Sequence, residues 1–311
     1  MTKILILGAA GYIGSKLSTV LVEKGYFVTA VDLLKYDQNS LAHLFSKKNF
    51  KFLKEDITKV NVIKKIIKSQ DFIIPLAALV GAPLCEKKKK EAQEVNVNSI
   101  KLLLKISKKN QKILYPTSNS GYGVGQKNKY CDENSPLNPI SLYGRTKAEA
   151  ETLILNRRNS VCFRLATVFG FSYRMRTDLL VNNFVERACK TFMLDIFEPN
   201  FRRNYIHIDD VVRAFIFAIN NFQKLKNNVY NLGLSTANLT KINLAKKIKK
   251  HIPKLKIKVI KNQSDPDKRD YFVSNKKIEK KGFKAKYSLD DGILELKQIF
   301  MHCDIKFKNN Y

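Results

Sequence analysis

No stretch of this sequence approaches the roughly 18 consecutive apolar residues that a membrane-spanning helix requires. The first apolar run, Ile4 to Leu7, ends almost at once. The N-terminus enters it without the charged, apolar and small-residue regions of a secretory signal. Five cysteines (Cys85, Cys131, Cys162, Cys189 and Cys303) show no C-x-x-C or other paired spacing. That argues against a structural metal and for a reducing, cytoplasmic setting. No Pro/Gly/Ser linker, internal repeat or low-complexity tract beyond short lysine runs divides the chain. Acidic residues are scarce too: 27 face 57 basic ones, for a formal charge of +30.

That imbalance raises the question of a polyanion partner. Only 11 of the basic residues are Arg, and the 46 Lys are spread along the whole chain, whereas nucleic-acid readers favour clustered Arg. The densest runs, Lys87 to Lys90 and Lys246 to Lys250, fall in segments patterned as exposed helix. The charge therefore reads as solvated surface that draws in small phosphorylated anions, with no specific nucleic-acid partner. At 311 residues and 44% hydrophobic composition, the chain can build one large α/β domain or two smaller ones.

What is present is an alternation. The β-rich runs Lys3–Leu7, Phe27–Val31, Phe50–Lys54, Asp71–Leu76 and Lys112–Tyr115 are separated by helical patterns near 12–24, 60–68 and 91–107. Strand Ser160–Val168 follows a helix that begins near Tyr143. This rhythm predicts βαβ units and a doubly wound parallel sheet covered on both faces. Beyond about Phe169, helical patterns (177–190, 209–221, 240–251, 289–302) mix with short strands near 192–197, 229–232 and 256–260. Residues 1–170 are expected to bind cofactor. Residues 171–311 are expected to form a smaller mixed α/β substrate lobe, partly interleaved with them.

Gly8, Gly11 and Gly14 stand in L-G-A-A-G-Y-I-G, after the first strand and at the opening of the first helix. Glycine there lets backbone approach a pyrophosphate. The N–H groups of the opening residues, Tyr12 and Ile13 among them, and the positive helix end favour that anion. Asp32 ends the second strand, where a carboxylate accepts bonds from ribose hydroxyls and repels a 2′-phosphate. NAD is favoured over NADP. Tyr143 and Lys147 form Y-G-R-T-K, which on a helix puts both on one face. A neighbouring ammonium, with the nicotinamide's positive charge, would lower the phenol pKa toward that of a usable base. Ser118, ending the fifth strand, would hydrogen-bond the substrate oxygen being deprotonated.

Taken together, these residues resemble the extended short-chain dehydrogenases/reductases of the nucleotide-sugar epimerase/dehydratase group, over about residues 3 to 300. The matching segments also include Asp56-Ile57, Leu76-Ala77-Ala78, Asn96, Arg164 and R-N-Y-I-H-I-D-D (Arg203 to Asp210). The resemblance implies that Asp56 and Ile57 contact adenine, and that Leu76, Ala77 and Ala78 pass beside the pyrophosphate and ribose. It makes Tyr143 the base and has Lys147 hold the nicotinamide ribose, with Ser118 and Asn119 beside the sugar. Asn183, Arg203, and Arg269 in D-P-D-K-R-D-Y would contact the substrate's diphosphate, a task suited to a guanidinium fork. For either arginine a surface ion pair is the plain alternative. His207 reads as structural. A homodimer built on helices 91–107 and 143–157 is a further implication.

The family shares a first step, oxidation at sugar C4, and diverges afterwards. Dehydratases and decarboxylating members carry an acidic residue just after the Ser118 position; here Asn119 and Ser120 stand there, and neither can do that acid/base work. Ketoreductases of the family favour NADPH, which Asp32 opposes. Several stretches, R-M-R-T-D-L-L-V-N (Arg174 to Asn182) among them, resemble a bacterial surface-polysaccharide subgroup that includes GDP-heptose 4-dehydrogenases. A 4-epimerase and a catalytically silent NAD-sensing scaffold remain as alternatives, although such scaffolds lose the Tyr/Lys pair.

Overall fold

A computed structural model describes residues 1–36, 39–126, 129–260 and 269–303. Its centre is a seven-stranded parallel sheet. Five strands come from the first half: β1 (Lys3–Leu7), β2 (Phe27–Asp32), β3 (Phe50–Lys54), β4 (Phe72–Pro75) and β5 (Lys112–Ser118). Across the sheet the order is Asn228–Leu232, Ser160–Leu165, β5, β4, β1, β2, β3. In β1 the apolar residues alternate between two cores. Ile4 and Ile6 face one cluster with Leu17 and Leu21 of helix α1 (Tyr12–Glu23) and Phe215 of helix Ile208–Asn220. Leu5 and Leu7 face another with Ile100, Leu103 and Ile154. A strand buried on both faces has no polar side, which is why β1 reads as a continuous apolar run.

The chain winds outward from β1 to β3, then crosses back to β4 on the other side of β1. That reversal opens a crevice at the carboxyl ends of β1 and β4, where doubly wound sheets bind ligands. Leu76 and Ala77 both donate their N–H to the Leu7 carbonyl, at 2.7 and 2.8 Å, which draws the end of β4 against the glycine turn.

Two expectations need correction. The run Ser160–Val168 is not one strand: Ser160–Leu165 lies in the large sheet, and Thr167–Phe169 pairs instead with Tyr205–His207 in a three-stranded sheet. The interruption at Ala166 carries the chain from one sheet to the other. Helix 91–107 is also not uniform, since Glu94–Asn98 forms a π turn between helices Lys89–Gln93 and Ser99–Ile106. Such turns re-aim a side chain. Here it belongs to buried Asn96, whose Oδ1 accepts from Leu79 N (2.8 Å) and whose Nδ2 donates to Thr146 Oγ1 (3.1 Å). Residues 228–232 return to the edge of the large sheet, so the lobe and the cofactor half share strands.

Candidate active site

A cavity of about 580 Å³ runs along the crevice and under residues of the lobe. At its floor, Gly8 has φ +86°, and a Cβ there would stand 2.4 Å from Ala77 N. A Cβ on Gly14 would stand 2.3 Å from Gly8 O. These two glycines are fixed by close backbone packing. Gly11 differs: a Cβ would meet only Gly8 O, at 3.3 Å, so its absence keeps the space ahead of α1 open. No side chain caps that helix end, leaving its first N–H groups and positive dipole for an anion. Asp32 accepts from Ala10 N and Leu34 N, each at 2.9 Å. Burial pushes its carboxyl above the usual range, opposed by those amides and by Arg174. Asp56 Oδ1 accepts from Thr58 N (2.9 Å) and Thr58 Oγ1 (2.8 Å), a turn that presents Asp56 and Ile57 to the cavity. Tyr12, Ile13, Leu76, Ala77 and Ala78 line it as well. The set fits a dinucleotide: an anion cradle, a half-buried carboxylate one strand away, and apolar walls.

Tyr143 and Lys147 sit on helix Leu142–Arg157, whose start is capped by Ser141 Oγ accepting from Gly144 N (3.1 Å). Gly144 allows close approach, since a Cβ there would stand 2.9 Å from Pro139 Cβ and 3.0 Å from Ser120 O. Asn96 ties the same helix to the loop after β4. Glu151, one turn beyond Lys147, meets Arg164 in a buried pair at 2.7 Å. The contact that the structure gives the Lys147 amine is with a different tyrosine from the expected Tyr143. The Lys147 amine stands 4.1 Å over the Tyr115 ring, and burial lowers its pKa to about 7. Loss of hydration pushes the Tyr143 phenol above its ordinary value. The groups drawing it back down are Arg269, Arg176 and the Ser118 hydroxyl.

Ser118, Asn183, Arg203 and Arg269 all line the cavity. Asn119 does not, which corrects its expected place beside the substrate. It is buried, and neither amide atom finds a hydrogen-bond partner among the described residues; Ser120 reaches the cavity instead. Arg203 donates to the Arg269 carbonyl, and Arg202 pairs with Asp270 at 2.8 Å, so strand Arg202–His207 holds Arg269 in place. Residues 265–268 of D-P-D-K-R-D-Y lie outside the described residues. His207 stays off the cavity: its Nδ1 accepts from Asp209 N at 3.3 Å, and its Nε2 pairs with Glu295 at 3.0 Å. Among the lining residues that sequence reasoning missed are Ser120, Arg174, Arg176, Asp178 and Lys241. The R-M-R-T-D stretch was visible. What it faced was not, because that loop meets the crevice only through the tertiary fold.

A dinucleotide cradle, a Tyr/Lys helix and a Ser at the end of the fifth strand, sharing one cavity, define a Rossmann-fold oxidoreductase with NAD as its cofactor. Residues 4–233 match the NAD dependent epimerase/dehydratase family, and the chain belongs to it. It is 28% identical to a dTDP-D-glucose 4,6-dehydratase of Dictyostelium discoideum, over 79% of this chain but 61% of that one. The chain thus spans about three fifths of that relative's length. It is 27% identical to the UDP-glucose 4-epimerase of Lactobacillus helveticus, covering 79% of this chain and 81% of the other. Among solved structures, the Thermotoga maritima UDP-glucose 4-epimerase with UDP-glucose aligns with TM-score 0.85 at 25% identity, over 96% of this chain and 98% of that one. Bacillus anthracis dTDP-glucose 4,6-dehydratase with NAD shares the fold, with TM-score 0.86 at 21% identity over 98% of each chain.

Proposed function

We propose that the protein oxidises C4 of a nucleotide-activated sugar, as a 4-dehydrogenase of the GDP-heptose type serving surface-polysaccharide biosynthesis. The observation that carries this reading is the shared cavity. The glycine cradle and Asp32 form one end, and Tyr143, Lys147 and Ser118 lie with Arg203, Arg269 and Asn183 along the rest. NAD, when bound, supplies the hydride acceptor. The chain's own residues do the remainder. Arg203 and Arg269 take the substrate's diphosphate, Ser118 orients the C4 hydroxyl, and Tyr143 removes its proton. Dehydration needs a second acid/base beside Ser118. Asn119 and Ser120 offer no carboxyl, and Asp178, one of the carboxylates lining the cavity, is held in an ion pair by Arg176.

A 4-epimerase is the second reading, supported by the likeness to two UDP-glucose 4-epimerases; it differs in returning the hydride to the other face. A homodimer through helices 91–107 and 143–157 accompanies either reading. Both are tested by incubating the protein with NAD and a panel of GDP-, UDP-, dTDP- and CDP-sugars. Reduced nicotinamide with a product two hydrogens lighter supports the dehydrogenase, whereas an isomer of unchanged mass replaces it with the epimerase. Tyr143→Phe is expected to abolish either turnover while NAD still binds; full activity in that variant would remove Tyr143 from the mechanism.

A further inference from the structure

We infer that Ser120 is a positioning residue for the proposed base: its hydroxyl joins the Arg269 guanidinium to Ser118 and so directs the Ser118 proton at the Tyr143 oxygen. The inference rests on the reading of Tyr143 as base, and it gives a task to a residue that the family comparison leaves without one.

The contacts form a chain. Arg269 Nη1 donates to Ser120 Oγ. Ser120 Oγ lies 2.8 Å from Ser118 Oγ, and Ser120 N donates to the same Ser118 oxygen at 3.1 Å. Ser118 and Tyr143 line the same cavity, and the Ser118 hydroxyl is among the groups that draw the phenol's pKa down. Ser120 itself is 1% exposed, and Ser118, Tyr143 and Arg269 are half-buried around it.

Donor and acceptor capacity then constrains the orientation. A guanidinium only donates, so it occupies a lone pair of Ser120 and favours turning the Ser120 proton toward Ser118. Ser118 already accepts the Ser120 N–H. With the Ser120 hydroxyl as its second donor, its own proton is left for Tyr143. A phenolate can only accept, so this orientation stabilises the ionised base. The reverse orientation suits a neutral Tyr143 that donates to Ser118. Two hydroxyls in series thus have one arrangement for each protonation state, and the charge at the far end weights the ionised one.

Other groups face Tyr143. Arg176 comes from the loop before helix Leu180–Lys190, Cys85 from helix Ala82–Lys87 and Tyr115 from β5; Lys147 lies one turn along its own helix. None of them acts through Ser120, so a change confined to that hydroxyl isolates the chain.

The test is a tyrosinate absorbance titration of NAD-loaded protein, with Tyr143→Phe as the blank; it needs no sugar. Ser120→Ala is expected to raise the Tyr143 midpoint by about half to one pH unit, and Ser120→Thr, which keeps the hydroxyl, to restore it. Arg269→Gln should raise the midpoint in the parent protein and clearly less in the Ser120→Ala background. An unmoved midpoint in Ser120→Ala would overturn the inference. So would equal Arg269→Gln shifts in both backgrounds, since the charge would then act through space alone. If Ser120→Ala does not fold, Ser120→Cys, with its weak donor, is held to the same criteria. If Tyr143→Phe subtracts no titrating step up to about pH 11, the base reading falls and takes this inference with it. A normal Tyr143 step with unmoved variants sinks the inference alone.

Discussion

Lys147 carries a cost that its spacing did not announce. Its amine is buried over an aromatic ring, and its pKa falls to about 7 from an ordinary value near 10.4. The unfolded chain therefore binds the proton more readily than the folded one between pH 7 and 10, and stability rises with pH across that window. Lys147→Met should abolish turnover yet raise the neutral-pH melting temperature by a few degrees. Scanning calorimetry should find this gain shrinking toward pH 10, where the unfolded parent loses the proton as well. Asp32 has a different neighbour. Arg174 lies 4.7 Å over the Tyr36 ring and acts on the Asp32 carboxyl. Removing that carboxylate by Asp32→Ala should weaken NAD binding and leave Arg174 to favour a 2′-phosphate. Titration of both cofactors should show the NAD/NADP affinity ratio falling about tenfold or more; an unchanged ratio would count against the ribose role of Asp32. At this scale the sequence was legible as far as the shared cavity goes: the Gly, Asp, Tyr, Lys and Ser that the proposed chemistry demands at set spacings all line it. Asn119 was misplaced because adjacency in sequence does not say which of two neighbours turns inward.

The helix that carries Tyr143 and Lys147 is held by more than its cap. Arg164 of strand Ser160–Leu165 meets Glu151 through its Nε at 3.1 Å and its Nη2 at 2.7 Å, and donates to Tyr122 Oη at 2.9 Å. Both members of the ion pair are buried, so removing one leaves an uncompensated charge. Glu151→Leu is expected to cost about 3–5 kcal/mol in denaturant unfolding, with much of it recovered in the Arg164→Met/Glu151→Leu double variant. Losses that simply add would mean the pair is not the cause. The strands of the first half were legible to within a few residues, since strands buried on both faces read as short apolar runs. The break at Ala166 was not, because Thr167–Phe169 is as strand-like as the residues before it. Its departure is decided by a better partner in Tyr205–His207.

For the whole molecule, the +30 charge acts at long range rather than at a site. The runs Lys87–Lys90 and Lys246–Lys250 lie mostly on exposed helix surface. No described helix is long and apolar enough to cross a membrane. For a diphosphate sugar, kcat/KM should fall several-fold between about 0.05 and 0.5 M salt while kcat changes little; a salt-independent kcat/KM would exclude steering. The family match gives the cofactor and the class of enzyme, and the assay panel is left to decide where the hydride goes. The sequence by itself determined the βαβ alternation, the dinucleotide turn, the choice of NAD and the proposed catalytic Tyr, Lys and Ser, because each follows from local periodicity or from a residue type that the proposed chemistry requires. Only the tertiary structure brought Arg176 and Arg269 to bear on the phenol. It alone set Ser120 between Arg269 and Ser118 and brought Arg174 over Tyr36. Those relations join residues up to 149 positions apart, and such a distance in sequence is closed by packing rather than by any pattern along the chain.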